Sequence, residues 1–213
     1  MTANTAGPLS RFRSDESGKN GAPERDHIGE IVESETTQFT AQARELNCAP
    51  AFGCLVRVGG TPTIVGLVFN ASTQSLEANR RPTAYGKTEE ELRREQPQIF
   101  ELLRTEFSVL VIGYMEGESA VHMIPPQPAR IHGFVHQCTD EEVRRCTSGV
   151  DFLRAVLGAS GVPTDQLLIA TLKKAIKAHE RDGDYLVRVG KELSRLLSDD
   201  YDRLNSLIRR VAQ

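Results

Sequence analysis

Apolar and polar positions along the chain follow two regimes. From His27 to about Cys138 they come in short runs that alternate or stay apolar over a few residues, the pattern of strands. Ile28-Gly29-Glu30-Ile31-Val32 predicts a first strand and Gln38 to Ala43 a half-buried second. Gly53 to Val58 predicts a third, closed by the turn signal Gly59-Gly60, and Thr63 to Phe69 a fourth. Ser108 to Tyr114 is apolar at successive positions, which predicts a fifth strand covered on both faces. Ala120 to Ile124 predicts a sixth, stopped by Pro125-Pro126 and joined to the fifth by a hairpin turn at Glu116-Gly117-Glu118-Ser119.

A helical interlude sits between the fourth and fifth strands, near 88–105. Thr88 with Glu91 fits a capping box, and Pro97 opens a second short helix through Ile99, Phe100, Leu102 and Leu103. From Thr139 onward the period becomes helical throughout. Thr139 with Glu142 is another capping box, and Leu153, Val156 and Leu157 continue one face as far as Gly158. Leu168, Leu172 and Ile176 recur at four. Leu186, Val189, Leu193 and Leu196 recur at three and four, and Leu204, Leu207, Ile208 and Val211 carry a last helix. Strands first and helices after predict an α+β fold, a six-stranded β-barrel followed by a C-terminal helical bundle.

Composition refines this picture. Met1–Asp26 is rich in Gly, Ser, Asn, Pro and charge, with Leu9 and Phe12 almost its only bulky apolar residues, so a disordered arm is expected there. The expected organisation is that arm over 1–26, the barrel over 27–138 and the helical region over 139–213. Lys and Arg number 26 against 29 Asp and Glu, a net charge of −3 that argues against a strongly nucleic-acid-binding protein. No apolar run is long enough to span a bilayer, and the first residues lack the apolar core of a signal peptide. Four cysteines in such a chain predict reduced thiols and a cytoplasmic location.

The glycines and β-branched positions of the strand-rich half carry a family resemblance. Gly29-Glu30-Ile31-Val32, Phe39, Gly53 with Val56 and Val58, and Gly66-Leu67-Val68 resemble the HAS-barrel. This is the small barrel at the N-termini of HerA-type DNA translocases and of ATP synthase α and β subunits. Pro125-Pro126 to Pro128, Ile131 and Val135 resemble the family's chain leaving the barrel, so the similarity spans His27–Val135, about half the chain. An OB-like or SH3-like barrel fits the same pattern. The resemblance implies an assembly or docking module that sits beside ATPase rings. The ATPase core itself is not matched. Gly86-Lys87-Thr88 has Arg81 where a P-loop needs its first glycine and follows no apolar strand, so it reads as a turn and helix cap.

Other candidate chemistry is weighed against plainer readings. His132, His136, Cys138 and Cys146 are zinc-type ligands, but their spacing matches no structural zinc pattern, and Cys48 and Cys54 fall elsewhere. They read as histidines on one face of an extended segment and small semi-buried cysteines. Glu30, Glu33 and Glu35 alternate at the first strand and read as a solvent-facing row. Ser119 with His122 lacks the Gly-x-Ser-x-Gly elbow of a nucleophile. Arg80-Arg81-Pro82 and Lys173, Lys174, Lys177 and Arg181 are local basic clusters, but the segment from Thr139 holds 13 basic and 12 acidic residues, so the charge there is balanced. No catalytic, cofactor or metal residue is assigned. The expectation is a non-catalytic assembly or partner-docking protein that binds a protein partner or itself. A nucleic-acid-binding accessory factor is the alternative and an enzyme with a pocket between barrel and bundle ranks third.

Overall fold

The structure is a computed structural model that describes residues 26–77 and 81–211. The arm expected over 1–26 falls, apart from Asp26, outside the described residues, as does Arg80.

Seven strands form one antiparallel sheet. They are β1 (Gly29–Ser34), β2 (Gln38–Ala43), β3 (Leu55–Val58), β4 (Thr63–Ser75), β5 (Leu103–Glu116), β6 (Ser119–Val121) and β7 (Phe134–Gln137). Six of them close a ring in the order β1-β2-β5-β4-β3-β7, because β2 pairs with β5 and β7 pairs with both β1 and β3. The predicted six-stranded barrel is therefore present, but its closing strand is a different one. The run from Ala120 to Ile124 supplies only the short β6, an appendage on the end of β5, while Phe134–Gln137, read as the exit from the barrel, is its last stave.

Alternation along the staves sorts side chains between two cores. Ile64 and Val68 of β4, Val109 of β5, Val56 and Val58 of β3, and Val135 of β7 point into the ring with Ile31, Phe39 and Phe107. Small residues make that interior fit. A Cβ on Gly29 would lie 2.8 Å from the Phe107 ring and 2.6 Å from the Gln42 carbonyl oxygen, so the aromatic ring uses the space that glycine leaves. The opposite positions, Leu55, Val65, Leu67, Leu110 and Ile112, face outward into a second core shared with the helices. β5 is thus covered on both faces, as its unbroken apolar run predicts.

The helices are α1 (Glu89–Glu95), α2 (Gln98–Glu101), α3 (Asp140–Thr147), α4 (Phe152–Leu157), α5 (Thr164–Ala178), α6 (Tyr185–Leu196) and α7 (Tyr201–Val211). Both expected capping boxes are made, Thr88 with Glu91 and Thr139 with Glu142. α4 and α5 supply the deepest side chains of the second core, Phe152, Leu153, Leu167, Leu168 and Leu172. The tail packs directly on the barrel. At Gly53, where φ is +71°, an added Cβ would lie 2.5 Å from the Ala170 Cβ of α5, so the strand-entry turn and the helix meet only because position 53 has no side chain.

β4 and β5 pair along almost their whole length, from Thr63↔Met115 to Ser75↔Leu103. Beyond the barrel the β4 side of this ribbon is mostly polar and exposed, the β5 side is half-buried around the buried Thr105, and the ribbon leads to α1 and α2, neither of which buries a residue. Leu103, expected as helix, is the first residue of β5.

Candidate functional site

An apolar hollow lies where the barrel, β6 and α4 meet. It holds about 720 Å³ and is lined by Val111 and Ile112 of β5, Val121 of β6, the following His122-Met123-Ile124, and the Arg154 side of α4. Local sequence explains why the chain opens here. β6 is too short to turn its apolar residues into the ring, and Pro125, itself buried, ends the run before Met123 and Ile124 gain cover. Met123 is 67% exposed and Ile124 64%, two large apolar side chains in succession at the mouth of an apolar hollow. Surface apolar residues are ordinary when scattered, whereas Met123 and Ile124 are adjacent and sit beside an apolar hollow.

His122 fixes the floor of this groove. Its Nδ1 lies 3.3 Å from the Ile112 carbonyl oxygen, which can only accept, so the proton sits on Nδ1. Its Nε2 is buried without a hydrogen-bond partner, and the Phe152 ring stands 6.0 Å away, centroid to centroid. Burial lowers the imidazole pKa below its ordinary value, against weaker opposing pulls from the Ile112 carbonyl and Asp151. The ring is therefore neutral at pH 7, and the groove presents an uncharged surface apart from Asp151 and Arg154.

Elsewhere the structure separates most residues that the sequence set side by side. His122 gives Nδ1 to Ile112, and its Nε2 meets nothing, so Ser119 has no base beside it. His132 sits at φ +65° on the surface with Nδ1 2.6 Å from Glu30 Oε1, whereas His136 faces Arg57 across the β3–β7 ladder. Cys138 and Cys146 do come together, against α3. Among the described residues, no three His, Cys, Asp or Glu side chains are arranged to hold a metal ion. A register shift at Val32 breaks the alternation of the acids: Glu30 meets His132, while Glu35 accepts a hydrogen bond from Gln38 in the following turn.

Lys87 pairs with Glu95 and Thr88 caps α1, so Gly86-Lys87-Thr88 is the turn and cap that its sequence suggests. Lys177 and Arg181 line a polar hollow of about 420 Å³ together with Arg144, but Asp140, Glu141, Glu180 and Asp182 line it too. The four acids leave that basic cluster without a net positive field. Of the heptad-like run in α6, Val189 and Leu193 are buried, Leu196 is half-buried and Leu186 is exposed.

The sequence contained the letters of the groove but not its exposure, because Met123 and Ile124 read as the end of a strand. The one available signal was the Pro125-Pro126 stop straight after them, which leaves no following residues to cover the pair. Among the described residues, no helix is long and apolar enough to cross a membrane. Compared with known proteins, the chain matches no protein-family model and no curated protein.

Proposed function

We propose that this protein is a non-catalytic docking module in which an apolar segment of a protein partner lodges in the groove capped by Met123 and Ile124. One observation carries the reading: two adjacent large apolar side chains about two-thirds exposed over an apolar hollow of about 720 Å³. The staves of the closed ring are paired and helices cover its outer strip, which leaves the groove as the apolar surface of the barrel open to a partner. The resemblance to HAS barrels supports the same role, since those barrels serve chiefly as assembly modules beside ATPase rings. Leu186, Val187, Tyr201 and Ile208, exposed on α6 and α7, offer a second surface for self-association or for choosing the partner.

The test is capture from native lysate with the full chain, followed by direct binding to whatever is recovered. M123S/I124S should weaken that binding by about 10-fold or more, because apolar anchors dominate such interfaces. Its melting temperature should stay near wild type, as both side chains are already in water. A wild-type chain that stays monomeric and retains no partner, or a double variant that binds equally well, overturns the proposal. Binding to single- or double-stranded DNA at low salt by both forms would instead favour a nucleic-acid role.

A further inference from the structure

Away from the groove, three sulfur-bearing residues meet at one cavity where the barrel meets α3. Cys138 directly precedes the Thr139 cap of α3, and its backbone N–H donates to the Leu55 carbonyl at 3.0 Å, which ties it to the barrel. Cys146 lies near the other end of the same helix, and its Sγ is 3.7 Å from Met115 Sδ near the end of β5. Cys138, Cys146 and Met115 line one cavity of about 170 Å³, together with Arg57, Arg145 and Glu142.

We propose that Cys138, Cys146 and Met115 form a binding site for a soft monovalent cation, Cu(I), held by two thiolates and a thioether. The donor set selects the ion. Thiolate and thioether ligands favour Cu(I), and a three-coordinate ion with metal–sulfur bonds of about 2.3 Å keeps its ligands about 4 Å apart. The separation of Cys146 Sγ and Met115 Sδ is close to that spacing before any ion is bound. Zn(II) wants four thiolate, imidazole or carboxylate ligands and finds too few, since the nearby Glu142 carboxylate already pairs with Arg57 at 2.7 Å.

Charge supports the same assignment. Binding exchanges two thiol protons for one cation, so the filled site carries one net negative charge. The cavity lining holds two guanidiniums against one carboxylate, which balances it. Because protons are released, affinity rises with pH.

The reduced full-length chain is titrated anaerobically with Cu(I) held by the chromogenic chelator bicinchoninate. The wild type should withdraw about one equivalent. C138S and C146S should each weaken retention by about 100-fold or more, and M115L by about 10-fold. C48S, which alters an exposed thiol, should behave as wild type. X-ray absorption of the Cu(I)-loaded chain should show sulfur neighbours only. If the cysteine variants fail to fold by circular dichroism, M115L and the absorption spectrum decide. Failure of the folded wild type to compete with the chelator, nitrogen or oxygen ligation, or equal retention by a folded C138S/C146S overturns the site.

Discussion

α1 and α5 show how little a well-formed helix start says about a helix's place in the fold. α1 has a complete capping box, three acids in its first turn, two arginines in its last, and a Glu89–Arg93 pair one turn apart. It buries nothing. α5 begins at Pro163 with no side-chain cap, yet it buries Leu167, Leu168, Ile169, Thr171, Leu172 and Ala175. Caps and surface pairs contribute about 0.5–2 and 0.2–0.5 kcal/mol each, whereas each large apolar side chain fully buried contributes about 1.5–3 kcal/mol. The seam between barrel and helices therefore holds the molecule together, and the ribbon carrying α1 and α2 is locally well made but globally dispensable.

Four substitutions or conditions put this contrast at risk. The largest effect is expected at the seam: L172A should cost about 2–5 kcal/mol in denaturant unfolding, by loss of burial and creation of a cavity. G53A comes next, at about 1–3 kcal/mol, because a left-handed backbone and the Ala170 Cβ both oppose a side chain there. A full-strength result at L172A with none at G53A would show that the seam can shift along the barrel without loss.

Acidification should act on the seam more weakly. His179 is buried, its ring stacked on Tyr185 at 3.8 Å and its Nε2 3.0 Å from Thr147 Oγ1. Burial lowers its pKa from the ordinary 6.5. A lowered histidine pKa means that the unfolded chain takes up the proton first, so the contribution is whole above pH 6.5 and is lost as pH falls below it. Thermal melts from pH 8 to pH 5 should show that decline, and H179Q should reduce it, leaving the share of His122 and His136, whose pKa values burial also lowers. An unchanged slope in H179Q would remove His179 from the account. The smallest effect is expected from T88A, under about 0.5 kcal/mol in global unfolding, with faster amide exchange confined to α1.

Legibility in the sequence followed burial. Val109, Leu110, Val111 and Ile112 announce a strand between two cores, and that is where they lie. Asn70–Gln74 of β4 is mostly polar and exposed, and Leu103–Glu106 of β5 is mixed and half-buried around the buried Thr105, so neither sets a clear period and the ribbon reads as shorter than it is. β7 was missed for a related reason: of Phe134, Val135, His136 and Gln137, only Val135 is buried, and one inward residue is too few to set a period. Capping boxes, by contrast, are local hydrogen-bond circuits, and both are made as written. The sulfur site was half visible. Cys138 and Cys146 appear in the sequence among four zinc-type ligands with His132 and His136, but Met115 joins them only through the β5 pairing that folding creates, and no spacing rule connects it to them.

The late arrival of β7 has a consequence for how the protein is made. The stave that closes the ring comes last among the strands, just ahead of the helices that cover its outer face. A nascent chain released before that point would leave β1 and β3 with open flanks and the strip of Leu55, Val65, Leu67, Leu110 and Ile112 in water. Such a fragment is adhesive on two counts, by unpaired backbone and by bare hydrocarbon. Completion of the ring and its shielding thus wait together on β7 and the helices that follow it, and a chain cut before β7 should be recovered as aggregate rather than as a free-standing barrel.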